Sequence, residues 1–223
     1  MIDELRNIIR VRTYFYYIFK HIFLQEFTEE FLNRLLNDPV LKQVAEMRET
    51  NLSEALREFL AQASAVLSSS DIEGRILDLR VEYTRLFIGP IPVVIPYETV
   101  YRGERLLKGD TWSTIRNWYL DDGYLLDDKS VLEDHAGVEL EYMAHLSEET
   151  ERAIDSGNLD EAKRLLLRQK EFMEQHLIKW IPRLCRDIEE RTREPIYKAF
   201  AKLLETFINE DQKFLEKVIE EFL

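Results

Sequence analysis

The stretch Gly89–Tyr101, GPIPVVIPYETVY, decides the fold class by being the exception to everything around it. Pro90, Pro92 and Pro96 fix φ, remove three backbone donors and push Gly89, Ile91 and Ile95 toward extended conformations, so no regular helix crosses it. The whole 223-residue chain has only 7 glycines and 6 prolines. All-β sandwiches and barrels consume both residue types at their many turns, and long helices do not. The expected fold class is therefore all-α: a single globular multi-helix domain of roughly nine to eleven helices. The Pro-rich segment divides it into an N-terminal lobe 1–89, a hinge loop 90–101 and a C-terminal lobe 102–223. Val93, Val94, Ile95 and Tyr97 make the loop apolar, so it must pack on its own core, on a second chain or on a partner.

Helical signals run outward in both directions. On the N-terminal side, Tyr14, Phe15, Tyr16, Tyr17, Phe19, Phe23 and Phe27 cover more than one helix face, the mark of a helix buried on several sides. Thr28 reads as an N-cap, Asp38-Pro39 as a stop, Ser53 as the start of an amphipathic helix to Leu67, and Ser70 or Asp71 as the start of the next, which Gly89-Pro90 ends. On the C-terminal side, Asp110 or Thr111 caps a helix that Gly123 terminates, and Ser130 with Glu133 forms an S-x-x-E capping box. Asn158 starts a long helix, Pro182 kinks or ends its continuation, Pro195 fits a first turn, and Asp211–Leu223 is amphipathic and acidic.

Charge and motif absences exclude function classes. With 30 Lys plus Arg against 43 Asp plus Glu, the formal charge is −13, which repels a phosphate backbone and favours a cationic partner. The single cysteine, Cys185, forms no intramolecular disulfide and excludes multi-thiolate metal sites, a usage that fits a reducing compartment. The first residues form no secretory or transit segment and no 18-residue apolar run occurs, so the expectation is a cytoplasmic protein without stable membrane insertion. No P-loop, Rossmann or nucleophile-elbow glycine pattern is present, nor H-E-x-x-H or Glu-x-x-His. No cofactor or metal is assigned.

Two polar constellations remain. Glu133-Asp134-His135 is followed by Glu139, four residues after His135 and on the same helix face. It reads either as a polar site (metal pair, acid and base, or hydrogen-bonding groups for a peptide) or as a capped helix start with a solvated acidic face and one core-edge histidine. Glu98, between Tyr97 and Tyr101 in an apolar loop, suits a guanidinium, which pairs with the carboxylate and stacks on the rings. That guanidinium belongs to a partner or to Arg85 or Arg102 of the same chain.

The blocks E-Y-x-x-L-F-x-G-P at Glu82–Pro90, P-Y-E-T-V-Y at Pro96–Tyr101, D-H-x-x-x-E-L-x-Y-M-x-x-L at Asp134–Leu146 and F-M-x-x-H-L-x-x-W-I-P at Phe172–Pro182, in this order, resemble the TorD/DmsD family of redox-enzyme maturation chaperones. The resemblance implies an all-helical, cofactor-free protein that is not an enzyme. Its partner would be the apo form of a molybdenum-containing oxidoreductase, the twin-arginine signal peptide of that enzyme, or both, held until cofactor insertion. It also implies a client-binding set of Gly89, Pro90, Tyr97, Glu98, Asp134, His135 and Glu139. Glu133 stands where the family often has proline, and Thr99 where serine is usual. The alternatives are a metal-dependent helical-bundle enzyme built on His135 and nearby carboxylates, and an oligomeric helical scaffold; exchange of the Pro-rich loop between chains would give a homodimer.

Overall fold

A computed structural model describes residues 2–47, 50–105, 107–126 and 130–222. Among them the fold is all-α. The helices are α1 (Ile2–Leu24), α2 (Glu29–Asn37), α3 (Pro39–Glu46), α4 (Asn51–Leu67), α5 (Ile72–Tyr83), the single turn α6 (Glu98–Tyr101), α7 (Asp110–Asp121), α8 (Ala136–Asp155), α9 (Leu159–Phe172), α10 (Ile178–Arg191) and α11 (Pro195–Phe222). Two π-helical turns extend helix ends, Thr84–Ile88 after α5 and Met173–Leu177 between α9 and α10. An isolated antiparallel bridge, Tyr97 with His135, is the β-type pairing found among the described residues.

Most start signals act as their chemistry requires. The Thr28 side chain accepts from Phe31 N, Asp71 from Gly74 N and Asn158 from Glu161 N, each satisfying a donor that the first turn leaves open. Asp38 closes α2 and caps α3, and Pro195 opens α11. Three expectations are corrected. The cap of α4 is Thr50, with Ser53 as its reciprocal partner at the third position. Gly109 precedes α7 with no side-chain cap. The Ser130–Glu133 box does not start α8, because the chain first pairs with residues 96–98 and reaches helical geometry only at Ala136. Pro182 lies inside α10 without ending it, and the segment expected over Asp211–Leu223 is the end of α11, Leu223 lying outside the described residues.

Two compact units interleave along the chain. One comprises Met1–Leu24, Pro96–Ile181 and Asn209–Leu223; the other comprises Gln25–Ile95 and Pro182–Ile208. In the first unit α1 packs along α8, and α8 along α9. Phe15, Phe19 and Phe23 of α1 are buried, as the aromatic density of that helix requires. Phe172 is the hub of a second aromatic cluster, with Tyr142 at 4.8 Å, Trp118 at 5.5 Å and His176 at 4.7 Å between ring centroids. In the second unit α2, α3 and α4 pack together, α4 meets α5, and Phe27 stacks near Tyr197 (5.1 Å) and Phe59 (6.5 Å). The Pro-rich loop of this unit folds back on the π turn after α5: Val93 N donates to Arg85 O and Val94 N to Leu86 O, at 3.2 and 2.9 Å. Val94 is buried by this return, whereas Ile91 is 87 % exposed.

Candidate functional site

Residues Pro96–Glu98 run antiparallel to Asp134–Ala136 in the first unit. Glu98 N donates to Asp134 O and Ala136 N to Pro96 O, both at 2.9 Å. This pairing satisfies backbone groups that a buried loop would otherwise strand. It also delivers Tyr97, Glu98, Asp134 and His135 to one place, with Glu139 one turn into α8.

His135 is the N-cap of α8: its Nδ1 accepts from Gly137 N at 3.1 Å, which requires the neutral tautomer with the proton on Nε2. Burial pushes its pKa down to about 4, in keeping with that role. Tyr97 meets its ring edge-on at 5.0 Å and Phe23 at 6.4 Å. Gly137 allows close approach of α1, because a Cβ there would lie 2.7 Å from Leu24 Cγ.

The carboxylates are interior. Glu98, Asp134 and Glu139 are each 0 % exposed, so the reading of a solvated acidic face is corrected. Asp134 Oδ2 accepts from Thr99 N at 3.2 Å and from Thr99 Oγ1, while Oδ1 has no partner. Burial raises the Asp134 pKa despite these bonds. Glu98 Oε1 accepts from Arg102, and Oε2 faces His176 Nδ1 at 2.9 Å. The guanidinium for Glu98 is therefore that of Arg102; Arg85 pairs with Glu82 at 2.7 Å in the other unit. Glu139 Oε2 accepts from Trp180 Nε1 at 3.0 Å, and Oε1 has no partner. Burial, with the nearby Glu98 charge, pushes the Glu139 pKa well above the usual carboxylate range.

Sequence reasoning missed His176 as a member of this cluster. It projects from the π turn, whose widened geometry aims it at Glu98 while Arg102 donates to the Gln175 carbonyl beside it. The signal lay in the F-M-x-x-H-L-x-x-W block, where Phe172, His176 and Trp180 sit four residues apart, each on this cluster or its aromatic wall. Thr99 and Glu133, the two departures from the family pattern, are both engaged: Thr99 holds Asp134, and the Glu133 side chain accepts from Trp112 Nε1.

A groove of about 440 Å³ opens beside this cluster, lined by Trp112, Tyr119, Leu120 and Leu125 among others. Tyr119 fixes its floor by donating to Glu133 O at 2.9 Å. Lys108 and Arg116 lie over the Trp112 ring at 5.8 and 5.6 Å. The structure thus brings Tyr97, Glu98, Asp134, His135 and Glu139 together, whereas Gly89 and Pro90 belong to the other unit, Gly89 half-buried with its N–H on Thr84 O at 2.7 Å and Pro90 exposed. No set of three or more His, Cys, Asp or Glu side chains among the described residues is arranged to hold a metal. No helix among them is long and apolar enough to cross a membrane.

The family model described as nitrate reductase delta subunit matches residues 49–186, a span that contains all of the site residues named above. The chain is similar to the chaperone protein TorD of Vibrio cholerae, with 25 % identity over 178 residues that cover 78 % of this chain and 77 % of that protein. It is similar to TorD of Aliivibrio fischeri, 27 % identical over 180 residues with 78 and 79 % covered, and to TorD of Photobacterium profundum, 28 % identical over 142 residues with 62 and 64 % covered. The chain belongs to the nitrate reductase delta subunit family, within the TorD/DmsD group of redox-enzyme maturation chaperones, and is not an enzyme.

Proposed function

We propose that this protein is a cytoplasmic chaperone that binds the apo form of a molybdenum-containing oxidoreductase, its twin-arginine signal peptide, or both, and assists cofactor insertion before export. The observation that carries the reading is the position of the buried Glu98–Asp134–Glu139 cluster. It lies within the family match, immediately behind Tyr97 and His135, and it has more negative charge than its own cations neutralise. Burying such a set costs stability, and a guanidinium from a client would relieve it. The apolar groove beside it suits the hydrophobic stretch of a signal peptide, and the net charge of −13 steers a cationic segment toward the chain. Lys108 and Arg116 in the groove lining would repel the arginines, which supports the apolar half of such a peptide as the occupant of the groove itself.

The test is capture of clients from a native lysate, followed by titration with the N-terminal peptide of the captured enzyme. Enrichment of a molybdenum enzyme and saturable peptide binding are expected; no enrichment of any such enzyme overturns the reading. Asp134→Asn is the informative variant, since it retains an acceptor for Thr99 while removing the charge. Gly89 and Pro90 enter the proposal as part of the hinge at the end of α5, and the lobes 1–89 and 102–223 as the parts that hinge would join. A second reading, a homodimer through the Pro-rich loop, is favoured by the exposure of Ile88 and Ile91, at 63 and 87 %. Concentration-dependent sedimentation tests it, with loss of the dimer expected in Ile91→Asp.

A further inference from the structure

Helix α5 is apolar on two opposite sides. Leu79 and Tyr83, with Leu86 and Phe87 of the π turn that extends it, are buried in the second unit; there Tyr197 OH donates to Leu79 O at 3.2 Å, and the Tyr83 and Phe87 rings meet at 5.5 Å. A helix at a surface ordinarily carries polar residues opposite its core stripe. On α5, Leu77, Val81, Thr84 and Ile88 stand there instead, at intervals of four, three and four residues, one line along the helix and its extension. All four are exposed, Leu77 at 58 %, Val81 at 62 % and Ile88 at 63 %. A lone exposed leucine needs no explanation, but an aliphatic line about 16 Å long, at 1.5 Å per residue, does.

The charges beside the line say what covers it. Glu73 and Arg80 flank it on one side and Asp78 and Arg85 on the other, each acid seven residues before its arginine. Asp78 and Arg80 stay more than half exposed although Asp78 pairs with Arg75 at 2.9 Å and Arg80 with Glu26; Arg85 is the most committed of the four, held by Glu82 at 2.7 Å. Both edges are therefore acidic toward the N-terminus and basic toward the C-terminus. Such a helix is complementary to an antiparallel copy of itself, acids meeting arginines on both edges while the aliphatic lines meet between them. A parallel copy would set acid on acid, and a partner of one charge sign would satisfy only half of each edge. The second unit holds 17 Asp plus Glu against 13 Lys plus Arg, so only −4 of the chain's −13 opposes contact between copies through this unit.

We propose that the exposed face of α5 is a two-fold interface on which a second copy of this chain packs its own α5 antiparallel. The contact is isologous, the same residues serving both copies. It is independent of the client reading, and it differs from exchange of the Pro-rich loop because each copy keeps its own loop.

One helix face per copy is a small interface, so sedimentation of the full chain from about 1 to 500 µM should show a reversible monomer–dimer equilibrium with a dissociation constant on the order of 10–100 µM. Val81→Glu should weaken it at least about tenfold, with denaturant unfolding confirming the fold. Glu73→Lys with Asp78→Lys gives a copy with basic edges, and Arg80→Glu gives one with acidic edges. Each alone should associate less than the unsubstituted chain, and an equimolar mixture should restore the dimer. A chain that is monomeric throughout the range overturns the proposal, as does a mixture that associates no better than its components. Ile91→Asp separates the pairing from loop exchange: a dimer kept in Ile91→Asp and lost in Val81→Glu is the expected result, and the reverse overturns the helix interface. A monomer whose client capture fails in Val81→Glu assigns the face to the client and also overturns it. Should Val81→Glu not fold, the charge-swapped mixture, altered only at exposed positions, decides by itself.

Discussion

Two buried ionic clusters occupy the first unit, and they are built on opposite rules. Arg12 of α1 donates to both oxygens of Asp211 on α11 and to Gln169 Oε1 of α9 at 2.9 Å; Tyr16 OH also donates to Asp211, at 2.6 Å, and Gln169 Nε2 to Thr150 of α8, at 2.8 Å. One positive and one negative charge cancel, both Asp211 oxygens are served and four helices are tied together, although Arg12 Nη1 has no partner. The Glu98–Asp134–Glu139 cluster has more carboxylates than cations, and Asp134 Oδ1, Glu139 Oε1 and His176 Nε2 have no partner. A balanced knot serves as scaffold. A cluster with surplus carboxylates, two of whose oxygens lack a donor, costs stability in the free protein, and on the proposed reading a client's guanidinium relieves that cost.

The comparison breaks most visibly at Asp211. Asp211→Ala strands Arg12 in the interior and should cost about 3–5 kcal/mol in denaturant unfolding, whereas loss of less than about 1 kcal/mol would mean the knot is no scaffold. The acidic cluster should answer through pH instead. The folded-state pKa of Glu139 is raised above its ordinary 4.5, so the folded chain keeps a proton that the unfolded chain releases. Its contribution is fully present below that value and is lost as pH rises above it, by up to about 1.4 kcal/mol per pH unit. Unfolding measured across this range should show the slope in the unsubstituted protein and not in Glu139→Gln.

His135 works on the acid side with the opposite sign. Its folded pKa of about 4 lies below the ordinary 6.5, so the unfolded chain takes up a proton first, and stability falls as pH drops from 6.5 toward 4. His135→Asn retains a capping acceptor and should abolish this acid-side loss while changing stability above pH 6.5 by less than about 1 kcal/mol. Gly137→Ala gives a smaller, pH-independent effect. Its Cβ would overlap Leu24 and force α8 from α1, at a cost of about 1–3 kcal/mol by thermal or chemical unfolding.

The all-α class was legible because helices announce themselves locally: Thr28, Asp71, Asn158 and Pro195 each act within three residues of where they stand. Ser130–Glu133 is the instructive failure. Its pattern matches a capping box, yet Pro96 and Glu98, far back along the chain, claim the backbone of Ala136 and Asp134, and Trp112 claims the Glu133 side chain. Arg12 read only as one charge among several near the start; its partner lies 199 residues along the chain, where no spacing rule reaches. Glu98 and Glu139 were each visible as odd polar residues, and family likeness grouped them, since helical periodicity cannot relate a loop to a helix. His176 escaped because a π turn breaks the period that would have placed it.

The most direct test of the difference between the clusters is a pair of titrations on Asp134→Asn and Asp211→Asn, each with denaturant and with the signal peptide of the captured client. For Asp134→Asn the expected result is peptide affinity reduced by at least about tenfold, or 1.4 kcal/mol, with unfolding free energy unchanged or higher. For Asp211→Asn it is the reverse, stability lost and the affinity of the folded fraction retained. Retained affinity in Asp134→Asn together with lost stability would contradict the assignment and make the acidic cluster a second piece of scaffold.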